Sequence, residues 1–148
     1  MRFKKLHDAA ERIDLRLDED FNRGRKNRMN VRQILEEFLP DGSRYLGRGA
    51  YKSSFLVFSN KRKLVLKVGR EHHISRDTEI VFLARRSGMK RCTLKYYWKT
   101  KYCALQKYCR PLKDVIAEIK RKGKRLGLRD IRTGNIGLLD GRLVAYDM

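Results

Sequence analysis

Apolar residues recur every three or four positions at the start of the chain: Phe3, Leu6, Ala10, Ile13 and Leu17. That spacing lines one face of a helix and predicts one over about residues 3–20. The basic stretch "NRGRKNR", with Gly24 inside it, reads as a linker. Val31, Ile34, Leu35 and Phe38 then predict a second, short helix that ends at "PDG". Beyond it the period changes. "SRYLGRGAYKSSFLVFSNKRKLVLKVGR" reads as strand, glycine turn, strand, polar turn, strand, with Phe55, Val57, Leu64, Leu66 and Val68 as strand-type apolar residues. "SRDTEIVFLARRSG" predicts a helix capped by Ser75, with Ile80, Leu83 and Ala84 on its apolar face and Gly88 as its stop. "CTLKYYWKTKYCALQKYC" predicts a hairpin turning near Lys99–Lys101. "PLKDVIAEIKRKG" predicts a further helix: Pro111 suits its first turn, Leu112, Val115, Ile116 and Ile119 form its stripe, and Gly123 ends it. The last segment reads as a loop and a small hairpin turned at "LLDGRL".

Two helices, three strands, a helix, two strands, a helix, a loop and a hairpin make an α+β fold with a five-stranded antiparallel sheet at its centre. The natural divisions are 1–40, a helical extension; 41–109, the sheet and its helix; and 110–148, the loop-bearing remainder. All three are expected to form one compact unit. At 148 residues and 41% hydrophobic composition, the chain has about one domain's worth of core.

Charge changes the picture more than size does. A formal net charge of +20 favours anionic partners, whether nucleic acid, phosphate-bearing ligands, acidic protein surfaces or anionic lipid. It disfavours cationic substrates. The three cysteines, Cys92, Cys103 and Cys109, have no CxxC spacing, and the three histidines do not complete a zinc pattern with them. Idle thiols in a reducing compartment are the expectation. The N-terminus has no apolar run of the signal-peptide kind, and no stretch approaches the roughly 18 apolar residues of a membrane span. These features predict a cytoplasmic protein with no membrane partner.

Several residues carry chemistry. Gly47 and Gly49 in "GRGAYK" allow a tight backbone turn that approaches phosphates, and they equally suit a plain hairpin. Lys67 stands mid-strand in "LVLKVG" between apolar neighbours, where a lysine must snorkel, pair or meet a ligand; Glu79 is a candidate partner on the next helix. Asp130, Asn135 and Asp147 crowd oxygen-bearing side chains into "RDIRTGNIGLLDGRLVAYDM".

In this order the residues resemble the protein-kinase-like superfamily, over about Tyr45 to the C-terminus. Gly47 and Gly49 match the first two glycines of the glycine-rich loop, Lys67 the "VAIK" lysine, and Glu79 the glutamate of the following helix. "LRDIRTGN" is similar to the catalytic loop "HRDLKPEN", and its "TGN" is closer to the "HGDLHPGN" of small-molecule and atypical kinases. "YDM" resembles "DFG". "ALQKYCRPL" looks like the hinge. The resemblance implies a kinase-like N-lobe, a reduced C-lobe (supporting helix, catalytic loop and small hairpin) and two extra N-terminal helices that take up some of the place of the missing lower lobe. It implies ATP and magnesium as cofactors. Gly47, Gly49, Lys67, Glu79, Gln106 and Tyr108 would bind the nucleotide, with backbone groups from Gln106 to Tyr108 facing the adenine. Asn135 and Asp147 would hold the metal. Asp130 would act as base, with Arg132 and Lys67 beside the transferred phosphate. The departures are Lys52 at the third glycine, Leu128 at the histidine of the catalytic loop, and an end one residue after Asp147, before any activation segment.

The implied function is a Ser/Thr-kinase-like phosphotransferase acting on an acidic or nucleic-acid-bound protein. Two alternatives stand beside it. One is a catalytically weak or inactive kinase-like module that binds nucleotide or a partner. The other is a basic nucleic-acid-binding protein working through "NRGRKNR", "KTKYCALQKYCR" and "KRKGKR", with Tyr96, Tyr97 and Trp98 as available aromatics.

Overall fold

The apolar stripe at the start of the chain does form a helix. In a computed structural model, which describes residues 1–24, 29–49, 52–89, 94–111, 136–139 and 142–145, helix α1 spans Lys4–Asn22 and buries Leu6, Ala9, Ala10, Ile13 and Leu17. The second helix is short, as its spacing predicts. Helix α2 covers Val31–Gln33 and runs on into a π-helical turn at Ile34–Phe38. Its start is a capping box: the Asn30 side chain accepts from the Gln33 amide at 2.8 Å, and the Gln33 side chain accepts from the Asn30 amide at 3.0 Å.

Strands β1 (Arg44–Arg48), β2 (Lys52–Ser59), β3 (Arg62–Gly69), β4 (Tyr96–Lys99) and β5 (Cys103–Lys107) form one sheet in the order β1-β2-β3-β5-β4, and every pair is antiparallel. The expected five-stranded antiparallel sheet and α+β class are therefore present. Helix α3 (Glu71–Ala84) connects β3 to β4 and continues as a π-helical turn at Arg85–Met89. A second sheet, in the order β6-β7-β8, contains Arg110–Pro111, Ile136–Leu139 and Arg142–Ala145. The predicted terminal hairpin is β7–β8, with Leu138 opposite Leu143.

Three expectations change. Helix α3 begins at Glu71, so Ser75 lies inside it and does not cap it. Its buried positions are Ile74 and Val81, two turns apart, while Leu83 is 51% exposed. Starting the helix four residues earlier changes which face turns inward. Pro111 does not open a helix. It pairs with Gly137 in β6, the outer strand of its sheet, where the missing N–H is tolerated. The helix predicted from Leu112 lies outside the described residues.

The chain divides into two compact units. One is Met1–Thr78 with Tyr96–Lys107; the other is Glu79–Lys95 with Tyr108–Met148. In the first, Leu6, Ala10, Ile13 and Leu17 of α1 pack with Phe55, Val57, Leu64, Leu66, Val68, Cys103 and Leu105 of the sheet. The N-terminal helices therefore pack against the five-stranded sheet. The reason is the stripe: β2, β3 and β5 each offer an apolar face of period two, and α1 offers the complementary ridge.

Carboxylates fix where α1 lands. Asp14 accepts from the backbone amides of Lys101 (3.1 Å) and Tyr102 (3.0 Å), at the β4–β5 turn. Asp18 accepts from Lys101 Nζ at 2.8 Å and from the Tyr102 hydroxyl at 2.6 Å. The two carboxyls are pushed in opposite directions. Burial raises Asp14 above the ordinary range despite its hydrogen bonds, whereas the Lys101 and Tyr102 bonds lower Asp18. A lowered carboxyl stabilises the fold above its unfolded value near pH 4 and loses that contribution as pH falls through its folded value. A raised carboxyl works the other way and eases the fold as it protonates. Asp14→Ala should cost about 1–3 kcal/mol in urea unfolding at pH 7, because two turn amides lose their acceptor. Asp18→Asn should flatten the loss of stability below about pH 4; an acid limb identical to that of the unmodified protein would contradict the Asp18 bonds.

Candidate functional site

Alternation along three strands separates two faces of the sheet. Phe55, Val57, Leu64, Leu66 and Leu105 face α1. On the other face the register aligns Ser54 with Lys67 and Lys67 with Ala104, and one step along aligns Leu56 with Val65 and Val65 with Gln106. Lys67 therefore lies on the central strand, on the side away from α1. It is 4% exposed.

Its ammonium has a defined direction. Lys67 Nζ donates to the Tyr96 hydroxyl at 2.9 Å and lies 5.3 Å from the centroid of that ring. A phenol oxygen is a neutral acceptor, and this bond orients the lysine. Tyr96 reaches this face because β4 carries an irregularity between Tyr96 and Trp98: Tyr96 stands opposite Gln106, and Trp98 opposite Leu105. The extra residue sends Trp98 to the α1 side, where its ring meets His7 at 4.9 Å.

Two further bonds tie the first part of α3 to the lysine-bearing face. Lys52 is ion-paired with Asp77, with both side chains largely buried, and Lys99 Nζ donates to Ser75 Oγ at 3.1 Å. Lys52, read from the sequence as a departure from the kinase-like pattern, has a structural job. It fastens the start of β2 to α3. Gly47 adopts φ 152°, which side-chain-bearing residues rarely take, and the Gly49 amide donates to the Lys52 carbonyl at 2.9 Å.

The remaining expected residues fall as follows. Gln106 lies within β5, 1% exposed, paired with Val65 on one side and Tyr96 on the other. Its backbone is thus part of the ladder, and Tyr108 is the first of the expected hinge residues past the end of β5. Glu79 is on α3 and exposed, and it belongs to the second unit while Lys67 belongs to the first. Asp130, Arg132, Asn135 and Asp147 lie outside the described residues. Among the described residues, three candidate metal ligands gather at His7, Asp8 and Glu11 of α1, and His7 Nδ1 there is 2.8 Å from Glu11.

Sequence reasoning missed Tyr96, Asp77 and Asp14. Alternation in "YYWK" hints at Tyr96 only once the irregularity is known. Of the two buried cysteines among the described residues, Cys103 is fully enclosed, and burial, with Asp14 beside it, pushes its thiol well up.

No protein-family model matches the chain, and no curated protein matches it. Among solved structures, the chain is similar to that of Rv3197 from Mycobacterium tuberculosis in complex with erythromycin, with a TM-score of 0.46 and 11% identity over 96% of this chain and 54% of that one. The chain thus spans about half the length of that protein. Among the described residues, no helix is long and apolar enough to cross a membrane.

Removing only the Tyr96 hydroxyl tests the geometry around Lys67. Tyr96→Phe should lower stability by about 1.5–3 kcal/mol, the usual worth of a hydrogen bond to a charged group. A loss under about 0.5 kcal/mol in urea unfolding would mean that the bond does not hold the lysine.

Proposed function

We propose that this chain is an ATP-dependent phosphotransferase of minimal protein-kinase-like fold, transferring the γ-phosphate of magnesium–ATP to a hydroxyl of an acidic or nucleic-acid-bound protein. The observation that carries the reading is Lys67: a buried lysine at the centre of an antiparallel sheet, its ammonium directed by Tyr96, on the face away from α1. An ammonium so placed suits the oxygens of a polyphosphate. Gly47 and Gly49 at the end of β1 support the same reading, since glycine lets a backbone come close to phosphate oxygens. So does the order of three strands, one helix and two strands.

In this reading Lys67, with Glu79 as its acidic partner, holds the α- and β-phosphates. Gln106 to Tyr108 contribute backbone groups at the adenine end. Asn135 and Asp147 hold magnesium through oxygen atoms. Asp130 accepts the proton of the attacking hydroxyl, and Arg132 offsets charge on the transferred group. Phosphoryl transfer asks mainly for positioning and charge neutralisation, which this residue set supplies. Chemistry of this kind places the enzyme in the cytoplasm, where ATP is abundant. The net charge of +20 favours acidic acceptors over cationic ones.

The experiment is transfer from labelled ATP, with magnesium, to the chain itself and to an acidic acceptor protein. Label should appear with the unmodified chain and fall by a factor of about 100 or more in Lys67→Ala and in Asp147→Ala. Equal labelling by the Asp147→Ala chain would overturn the enzymatic reading. Nucleotide binding without transfer in the unmodified chain would favour an inactive kinase-like module instead.

A further inference from the structure

A different part of the first unit gathers positive charge on a built platform. The rings of Phe3 and Tyr97 meet edge to face, 5.0 Å between centroids. Two guanidiniums converge on this one pair of rings. Arg2 lies 5.4 Å from the Phe3 centroid and 5.0 Å from that of Tyr97, and Arg62 lies 5.8 Å from both. Arg62 also donates to the Tyr97 hydroxyl at 3.2 Å. The backbone beneath is pinned, because the Trp98 indole donates to the Arg2 carbonyl at 3.2 Å.

Like charges drawn to one spot need a reason. Among the described residues, neither guanidinium has a carboxylate within ion-pair distance, and both side chains are exposed. A guanidinium that rests on a ring face keeps its in-plane N–H groups free for oxygen acceptors. Neighbours along the chain add the same sign: Lys4 and Lys5 follow Arg2, and Lys61 precedes Arg62. Asn60 and Lys61 both take positive φ, 49° and 66°, in the tight β2–β3 turn that presents Arg62. Helix α1 starts beside Phe3 with no side-chain cap and no acidic residue in its first turn, so nothing there offsets the charge.

We propose that Arg2 and Arg62, held on the Phe3–Tyr97 rings, form a clamp for two phosphates of a nucleic-acid backbone. A row of cations spread over two chain segments suits a polymer of repeating phosphates better than a single small anion. Recognition is through the backbone and independent of sequence, because the ring faces already carry guanidiniums and do not offer themselves to bases. Tyr96, Tyr97 and Trp98, the aromatics first considered for stacking, are engaged with Lys67, with the two arginines and with His7. The site is independent of the phosphotransferase reading and survives its failure.

The test is a titration of the full chain with a 20-base-pair DNA duplex, by fluorescence anisotropy, over a series of salt concentrations. The unmodified chain should bind with a steep salt dependence. Arg2→Gln with Arg62→Gln should weaken binding at least about tenfold at low salt and reduce the log–log salt slope by about 1–2, the share of two phosphate contacts. Arg12→Gln with Arg23→Gln, which removes the same charge elsewhere, should change the slope by less than about 0.5. Arg2→Lys with Arg62→Lys keeps both charges and should recover the slope. The proposal is overturned by no binding of the unmodified chain, or by equal losses in the two Gln pairs. It is overturned as well by a Lys pair as weak as the Gln pair at Arg2 and Arg62, which would trace the loss to packing. Loss of binding to anionic phospholipid vesicles, with duplex binding unchanged, would assign the clamp to a membrane surface and likewise overturn it.

Discussion

Strand β3 sits between β2 and β5, so its backbone is paired on both sides, and α1 closes one of its two faces. A residue on such a strand has only one direction left in which to meet anything but protein core. Leu64, Leu66 and Val68 take the closed side, and Lys67 takes the other. The one-residue alternation of a strand thus converts a hydrophobic stretch with a single lysine into a buried ammonium aimed across the opposite face. Tyr96 gives that ammonium its direction, and the irregularity in β4 gives Tyr96 its place.

Helix α1 is what makes the asymmetry firm. Its apolar stripe stabilises the first unit by burying side chains worth about 1.5–3 kcal/mol each. Burial alone is non-directional and would tolerate sliding. The Asp14 bonds to two turn amides and the Asp18 bonds to Lys101 and Tyr102 set the register of helix against sheet. The same docking brings Phe3 onto Tyr97 and so creates the ring pair on which Arg2 and Arg62 rest. One helix therefore seals the core face and organises a cationic surface at its own start.

Much of the architecture was legible in the sequence because it depends on periodicity. The stripe from Leu6 to Leu17, the five strands and the terminal hairpin all follow from spacing and turn residues. Features set by long-range partners were not. Nothing in "DAAERIDLRLDED" says that Asp14 will cap a turn 87 residues away. Helix α3 begins at "EHHI", a stretch whose polarity hides its first turn, and so its inward face was misplaced. Arg110–Pro111 becomes a strand only because β7 is there to pair with it. At the candidate site, Lys67 announced itself by being charged among apolar neighbours, whereas its partner Tyr96 depends on the strand irregularity. Gln106, read as a backbone contact, is a buried residue of β5, and its burial depends on the strands on either side.

The central claim is that α1 seals one face of the sheet and that the proposed nucleotide site lies on the other, with Lys67. Residue-resolved amide NMR of the isotope-labelled chain, titrated with magnesium–ATP, tests it most directly. Shifts should concentrate at Gly47–Gly49, Ser54, Lys67 and Gln106, and be small at Ala10, Ile13 and Leu17 on α1. A titration that leaves the Lys67 face unmoved, or that moves α1 instead, would contradict the account.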